Sequence, residues 1–331
     1  MKPALSVIFF TVASGAGLGL FAWLAAFDLF TLLRGTESAG MQPVSMARAA
    51  LVAYVLVVAG LCASTLHLAN KKNAWRSFTR FRSSWLSREA VFAVAFLVVA
   101  LVYTALLVVD GRGALRWAAA LVVLVLAVTV LVCTAMIYAS LKPIRQWHTC
   151  WTPATYVVLG VWSGAVIARC LRFAAGTGID GIPVALLTLG VAAAIVKLMY
   201  WRTIDGEAGS ITMEQALGVS HGVGPPGSRP APGGGATVMR ARLLDTGHTH
   251  GTFLTDEFGF ALARRRRGML RAAFWIFAMA IPLAWLVLGP RDSAVAVVVA
   301  VACIGGLLAE RWLFFAEARH TVRLFHGDAR T

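Results

Sequence analysis

The chain has 331 residues, of which 59% are hydrophobic and 14% are charged, and its mean hydropathy is +0.76. A soluble domain carries about 25% charged residues, so this composition excludes a soluble domain and predicts a multi-pass membrane protein. The formal net charge of +15 would suggest nucleic acid in a soluble chain. Because Lys and Arg also accumulate in the cytoplasmic loops of membrane proteins, we expect no nucleic-acid partner.

Eight apolar segments are long enough to cross the bilayer, and their interiors consist mainly of Leu, Val and Ala. Helices that satisfy their own backbone are the form such segments take in lipid, so we predict an all-α integral membrane bundle. The first segment is too long for a signal peptide and is expected to be retained. The segments are about 6–30, 46–69, 89–109, 115–140, 154–175, 182–201, 270–289 and 293–316.

The basic residues predict the orientation of the bundle. An even number of helices places both termini and loops 2–3, 4–5 and 6–7 on one side. That side holds roughly three times as many loop Lys and Arg residues as the other, which indicates the cytoplasmic side. Both termini are therefore expected in the cytoplasm, with the protein in the inner membrane of a bacterium.

The predicted organisation has three parts. Residues 1–202 contain helices 1–6 with a charged loop at 70–88, and residues 270–331 contain helices 7 and 8 with a cytoplasmic tail. Between them, residues 203–269 form a cytoplasmic loop with the stretch "GVGPPGSRPAPGGGATV". Gly and Pro at this density are typical of a flexible linker.

Cysteine and histidine placement argues against a bound metal. The five Cys residues occur singly, without a C-x-x-C pair for a zinc or iron–sulfur site. Of the seven His residues only His67 lies at the end of a predicted helix, so no buried pair could ligate haem, and we predict none. His248 and His250 in "HTH" are interpreted as solvated loop residues. No catalytic or metal-binding residue is assigned.

The segment "STLHLANKKNAWRSFTRFRSSWLSREAVF", residues 64–92, places His67 and Glu89 at the two edges of a charged loop. Antiparallel helices bring these two positions to similar depth, so both side chains can face one cavity. A quinone headgroup needs hydrogen-bonding groups and a proton donor or acceptor, which His and Glu supply. The alternative is that His67 caps a helix and the neighbouring Trp and Arg residues anchor the protein at the interface.

Four stretches resemble the DMSO reductase anchor subunit family: "MKPALSVIFFTVASGAGLGLF", "STLHLANKKNAWRSFTRFRSSWLSREA", "AMIYASLKPIRQWH" and "ERWLFFAEARH". The resemblance implies an eight-helix anchor without haem that binds an iron–sulfur subunit and a molybdopterin catalytic subunit and exchanges electrons with the quinone pool. The clusters and the molybdopterin would belong to those partners only. Nothing would be covalently bound to this protein, and ubiquinone or menaquinone would bind it transiently.

The family's quinone-site His and Glu match His67 and Glu89. The sequence departs from the family's usual loop pattern at Ala69, Lys71 and Asn73, so no role is carried over to Asn73. The predicted quinone-binding residues are His67, Glu89, Trp75, Arg76, Arg82 and Trp85. The residues expected to dock a partner are Lys71, Lys72, Arg80, Arg145, Glu317 and Arg319.

The predicted orientation favours one branch of that family. A cytoplasmic His67–Glu89 loop resembles the branch whose catalytic subunits stay in the cytoplasm, as in sulfite-oxidising, quinone-reducing complexes, and "LLDTGHTHGTFLTDEFGF" resembles it too. We therefore expect a subunit that is not catalytic alone and that serves sulfite oxidation. The alternative within the family is the anchor of an S-oxide or N-oxide reductase that oxidises menaquinol.

A secondary transporter is the alternative of another class, since it would place ionisable groups near the bilayer midplane. Lys197 alone comes near that description, and it is expected to extend to the cytoplasmic edge. Asp28 is expected to face the interior because a carboxylate is costly in lipid. Glu310 and Arg311, like Glu317 and Arg319, are expected to form ion pairs near the inner face.

Overall fold

The computed structural model describes most of the membrane-embedded part of the protein. Eight of its helices are long and apolar enough to cross a membrane. The described residues are 4–34, 43–66, 75, 78–109, 113–174, 183–206, 211–216, 266–288 and 292–326. Most of the predicted loop 203–269 lies outside these ranges.

The eight helices confirm the predicted segments, and every boundary lies within four residues of its expected position. Proline occupies the first position of α2 and of α6, where its missing N–H costs no intrahelical bond. The helices are α1 Leu5–Arg34, α2 Pro43–Leu66, α3 Trp85–Val109, α4 Ala114–Ala139, α5 Trp151–Ala174, α6 Pro183–Asp205, α7 Arg267–Leu288 and α8 Ser293–Ala316. One helical turn at Met213–Ala216 and a 3₁₀ helix at Thr321–His326 complete the described elements.

Helix α1 lies at the centre of the bundle and packs against α2, α4, α5 and α8. Its approach to α5 depends on glycine. A Cβ at Gly19 would lie 1.9 Å from the carbonyl oxygen of Gly160, and a Cβ at Gly164 would lie 2.1 Å from the carbonyl carbon of Gly19. Small residues at such a crossing let two backbones touch, which is how helices associate closely in lipid.

Helix α7 changes its winding in the middle of the membrane. It is α-helical over Arg267–Ala273, π-helical over Phe274–Ala280 and α-helical again over Ile281–Leu288. Pro282 has no N–H to donate to the carbonyl of Ala278 four residues earlier. The fully buried Trp162 of α5 donates its indole N–H to that carbonyl at 2.9 Å, so the freed group keeps a partner inside the membrane.

Asp28 faces the interior, as predicted, and its partner is Arg116 of α4. Arg116 donates to the carboxylate through Nε at 2.9 Å and Nη2 at 2.5 Å, and the Tyr103 hydroxyl donates to it at 3.1 Å. Both charged side chains are buried. Arg116 lies in the first turn of α4, which begins at Ala114 and turns this side chain inward.

Lys197 does not extend to the membrane edge, so that expectation is wrong. It is 1% exposed, and its Nζ bonds Glu310 Oε1 of α8. The other carboxylate oxygen of Glu310 accepts a hydrogen bond from Arg311 Nε at 2.5 Å. Because Glu310 on the facing helix supplies a counter-charge inside the bundle, the Lys197 ammonium group does not have to extend to water.

Candidate functional site

Glu89 lies one turn into α3, on the side of the membrane where α2 ends. Ser84 precedes the helix, and its hydroxyl accepts the backbone N–H of Ser87 at 3.4 Å, as an N-cap does. Starting the helix at Trp85 turns Glu89 toward α4 rather than toward lipid. Its carboxyl group is buried and accepts a hydrogen bond from the Thr134 hydroxyl of α4. A carboxyl group buried with one hydroxyl partner is suited to hold or release a proton.

Arg88 holds the end of the charged loop against the start of α3. Its Nε donates to the carbonyl of Phe81 at 3.0 Å, and its Nη2 donates to the carbonyl of Arg82 at 2.8 Å. The guanidinium also lies 4.2 Å from the centroid of the Trp85 ring. Arg88 is not among the predicted site residues, because the sequence does not show which backbone carbonyls its guanidinium meets.

The aromatic residues of the loop form an exposed surface beside Glu89's helix. Trp75 is 61% exposed, and Phe78 and Phe81 are also exposed, while Trp85 is half-buried. The ring of Phe81 meets that of Phe92 edge to face at 5.6 Å, which ties the loop to α3. Exposed aromatic rings at a membrane edge are suited to pack on a quinone ring.

Four of the predicted residues lie outside the described residues. They are His67 and Arg76 of the predicted quinone site, and Lys71 and Lys72 of the predicted docking residues. Helix α2 is described up to Leu66, directly before His67, and α2 packs against α3. The eight spans place the end of α2 and the start of α3 on the same side of the membrane, while Arg82 itself is exposed in the loop.

The predicted docking residues that are described lie at the same end of the bundle. Arg80 and Arg145 are exposed and Arg319 is half-buried. Arg145 lines a cavity of about 250 Å³ together with His148 and other residues of the 4–5 loop and the end of α6.

Glu317 is buried and pairs with Arg271 of α7 at 3.1 Å. Burial raises the pKa of the Glu317 carboxyl group, and the nearby Arg271 acts in the opposite direction. Arg319 donates its backbone N–H to Gln146 Oε1 at 3.1 Å.

Among the described residues, eight helices long enough to cross a membrane, a buried carboxyl group and exposed aromatic side chains at one end of the bundle define a multi-pass membrane protein. The family model described as "DMSO reductase anchor subunit (DmsC)" matches residues 1–316, and the protein belongs to this family.

Two curated proteins are similar to this one. A subunit of the sulfite dehydrogenase of Allochromatium vinosum is 32% identical over 98% of the present sequence and 99% of its own length. A component of the anaerobic dimethyl sulfoxide reductase of Escherichia coli is 29% identical over 51% of the present sequence and 60% of its own length. The family resemblance inferred from the four sequence stretches is confirmed.

Proposed function

We propose that this protein is the membrane-anchor and quinone-binding subunit of a molybdopterin oxidoreductase complex in a bacterial inner membrane. It passes electrons between a partner iron–sulfur subunit and the quinone pool. Family membership over residues 1–316 supports the anchor role. The observation that carries the quinone role is Glu89, a buried carboxyl group one turn below an exposed aromatic loop.

The quinone binds between the end of α2 and the start of α3, where His67 and Glu89 each face one of its oxygens. Reduction of a quinone to a quinol takes up two electrons and two protons. The electrons arrive from the partner's terminal iron–sulfur cluster above the loop, and His67 and Glu89 exchange the protons. Trp75 and Trp85 pack against the ring, and Arg76 and Arg82 hydrogen-bond the headgroup or its surroundings. Ubiquinone and menaquinone both fit this chemistry, and no haem is required.

The partner subunits dock on the cytoplasmic face. The sequence of loop 70–88 carries six Lys and Arg residues, a charge that suits an acidic partner, and Arg80 and Arg145 are exposed at this end of the bundle. Lys71, Lys72, Arg80, Arg145, Glu317 and Arg319 are the proposed docking residues. Because Glu317 is buried against Arg271, it contributes by fixing Arg271 and the end of α8 beneath the partner.

Sulfite is the proposed substrate of the catalytic partner, with electrons flowing toward quinone. The match to a sulfite dehydrogenase subunit extends over nearly the full length of both proteins, and the basic loop favours a cytoplasmic complex. The shorter match to a dimethyl sulfoxide reductase component favours the second candidate, an S-oxide or N-oxide reductase that oxidises menaquinol.

The test compares quinone-linked with dye-linked activity of the assembled complex carrying His67→Ala or Glu89→Gln. Both variants should lose quinone-linked activity and keep dye-linked activity, because artificial dyes accept electrons before the anchor. His320→Gln is the matched control, since His320 lies beyond α8 on the same side of the membrane and outside the site. Wild-type quinone-linked turnover in both site variants would overturn the site assignment.

A further inference from the structure

A small cavity whose wall contains several polar side chains lies between α1, α4, α5 and α8. Its volume is about 30 Å³. Thr134 and Arg311 both line it, each five residues before the end of its helix. At 1.5 Å per residue this places the cavity roughly 8 Å below the membrane face that carries the charged loop. The same Thr134 hydroxyl that bonds Glu89 therefore borders an internal space.

The cavity wall offers hydrogen-bond acceptors. Thr11, Ser14 and Ser163 donate their hydroxyl hydrogens to carbonyls of their own helices at 3.0, 2.6 and 2.9 Å. Each hydroxyl has one hydrogen and two lone pairs. With the hydrogens committed to the helix backbone, the oxygens are left as acceptors at the cavity surface.

The wall also offers donors. The Nη1 and Nη2 of Arg311 and the hydroxyl of Tyr156 are buried, and apart from the contact of these two side chains with each other no described residue pairs with these atoms. Two contacts fix the position of the guanidinium. Its Nε donates to Glu310, and its Cζ lies 4.0 Å from the centroid of the Tyr156 ring. Buried donors of this kind are rarely left unsatisfied.

Water suits both kinds of polar group in this wall. A wholly apolar cavity stays dry, whereas a site of more than about 10–15 Å³ with two to four polar partners is suited to hold a water molecule. A volume of about 30 Å³ is enough for about two. Each water can accept from Arg311 and donate to the serine and threonine oxygens, which completes the hydrogen bonds of the wall.

We propose that this cavity is a buried water site that passes protons to and from Glu89 through the Thr134 hydroxyl. The inference rests on the proposed function, in which Glu89 exchanges a proton with the quinone. Thr134 is then a positioning and relay residue that never touches the quinone, and Arg311 orients the water.

The Thr134 hydroxyl has the geometry that a relay needs. Its Oγ1 lies within hydrogen-bonding distance of Glu89 Oε1 and 3.0 Å from the carbonyl oxygen of Val130, yet it carries only one hydrogen. With Glu89 ionised, that hydrogen points to the carboxylate. With Glu89 protonated, the carboxyl group donates to Oγ1, and the threonine hydrogen turns to Val130.

The proton step is balanced without a further reactant. An excess proton enters the cavity water from the aqueous phase. Water gives one proton to Thr134 Oγ1 as the threonine gives its own to the Glu89 carboxylate, and Glu89 then protonates the reduced quinone. Each bond formed to hydrogen is matched by one broken, and reversal of the sequence serves quinol oxidation.

The first test detects the water itself, independently of activity. Purified complex is exposed to brief X-ray pulses in H₂¹⁸O, which hydroxylate side chains next to bound water. Tyr156 should incorporate ¹⁸O, while Tyr103 should not, because it is also buried but its hydroxyl bonds Asp28 directly and it does not line the cavity. Labelling of Tyr156 no greater than that of Tyr103 would overturn the water site and leave the proposed quinone role intact.

The second test removes the relay hydroxyl. In the assembled complex, Thr134→Val should lower quinone-linked turnover at least tenfold, with an unchanged KM for quinone, an altered solvent isotope effect and normal dye-linked activity. Thr134→Ser should restore turnover because it returns the hydroxyl. Thr129→Val is the matched control on the same helix, where the native hydroxyl bonds only the Val125 carbonyl at 2.7 Å and is exposed to lipid.

The outcomes separate the two proposals. Wild-type turnover in Thr134→Val together with loss of turnover in Glu89→Gln overturns the relay and retains the quinone site. Wild-type turnover in both variants overturns the proposed function and the relay with it.

Discussion

Replacing Asp28 by Asn tests the ion pair that joins α1 to α4 on the side of the membrane opposite Glu89. The carboxylate accepts two hydrogen bonds from Arg116 and one from Tyr103, and both charged side chains are buried. Asn keeps the shape of Asp28 but removes the carboxylate that the guanidinium bonds through two of its nitrogens. Loss of one partner from a buried pair costs about 3–5 kcal/mol, so Asp28→Asn should destabilise the protein by that amount.

Two further variants calibrate the effect. Tyr103→Phe removes one neutral-to-charged hydrogen bond and should cost about 1–2 kcal/mol. Replacing both charges, with Asp28→Leu and Arg116→Met together, should cost less than either single change, because no unpaired charge remains. The assay is unfolding of the purified protein in mixed micelles with increasing dodecyl sulfate, followed by tryptophan fluorescence. An Asp28→Asn cost no larger than that of Tyr103→Phe would refute the buried pair.

Three other predictions concern packing and titration. Gly164→Leu should separate α1 from α5, because a Cβ at Gly164 would already lie 2.1 Å from the carbonyl carbon of Gly19. Thermal unfolding in detergent should show a large loss of stability, and an unchanged unfolding midpoint would contradict the close approach. Trp162→Phe should leave the Ala278 carbonyl with only the long contact from Cys303 Sγ at 3.9 Å and should cost about 1–3 kcal/mol. Hydrogen exchange of α7 amides should rise, whereas unaltered exchange would argue against the indole bond. Burial lowers the pKa of His320. The contribution of His320 to stability is therefore present above the unfolded pKa of about 6.5 and is lost as pH falls through the lower folded pKa. On acidification the unfolding midpoint should drop less in His320→Asn than in the wild type, and equal drops would contradict this.

The membrane helices could be predicted from the sequence because lipid leaves few alternatives for the backbone. Long apolar segments with charged loops between them determine where each span begins and ends to within a few residues. The position of Glu89 near the start of α3 followed from the same pattern. The alternation of apolar segments and charged loops carries no information about which helices contact each other.

The partners of the buried charges therefore could not be predicted. The bonds from Arg116 to Asp28 and from Lys197 to Glu310 join residues 88 and 113 positions apart, and such contacts depend on the packing of whole helices. The π-helical turn of α7 had one local signal, Pro282, but its stabilising partner Trp162 comes from a distant segment. Residues of four helices, α1, α4, α5 and α8, line the central cavity, so no single stretch of sequence predicts which polar side chains meet there.

The account depends most directly on the anchor role, which gentle-detergent purification of the tagged protein from its native membranes tests. Subunit identification and metal analysis should find a molybdenum protein and an iron–sulfur protein bound to it, and dye-linked oxidation of sulfite by that complex would support the proposed branch. Recovery of the protein alone and free of molybdenum and iron under several mild conditions would contradict the account.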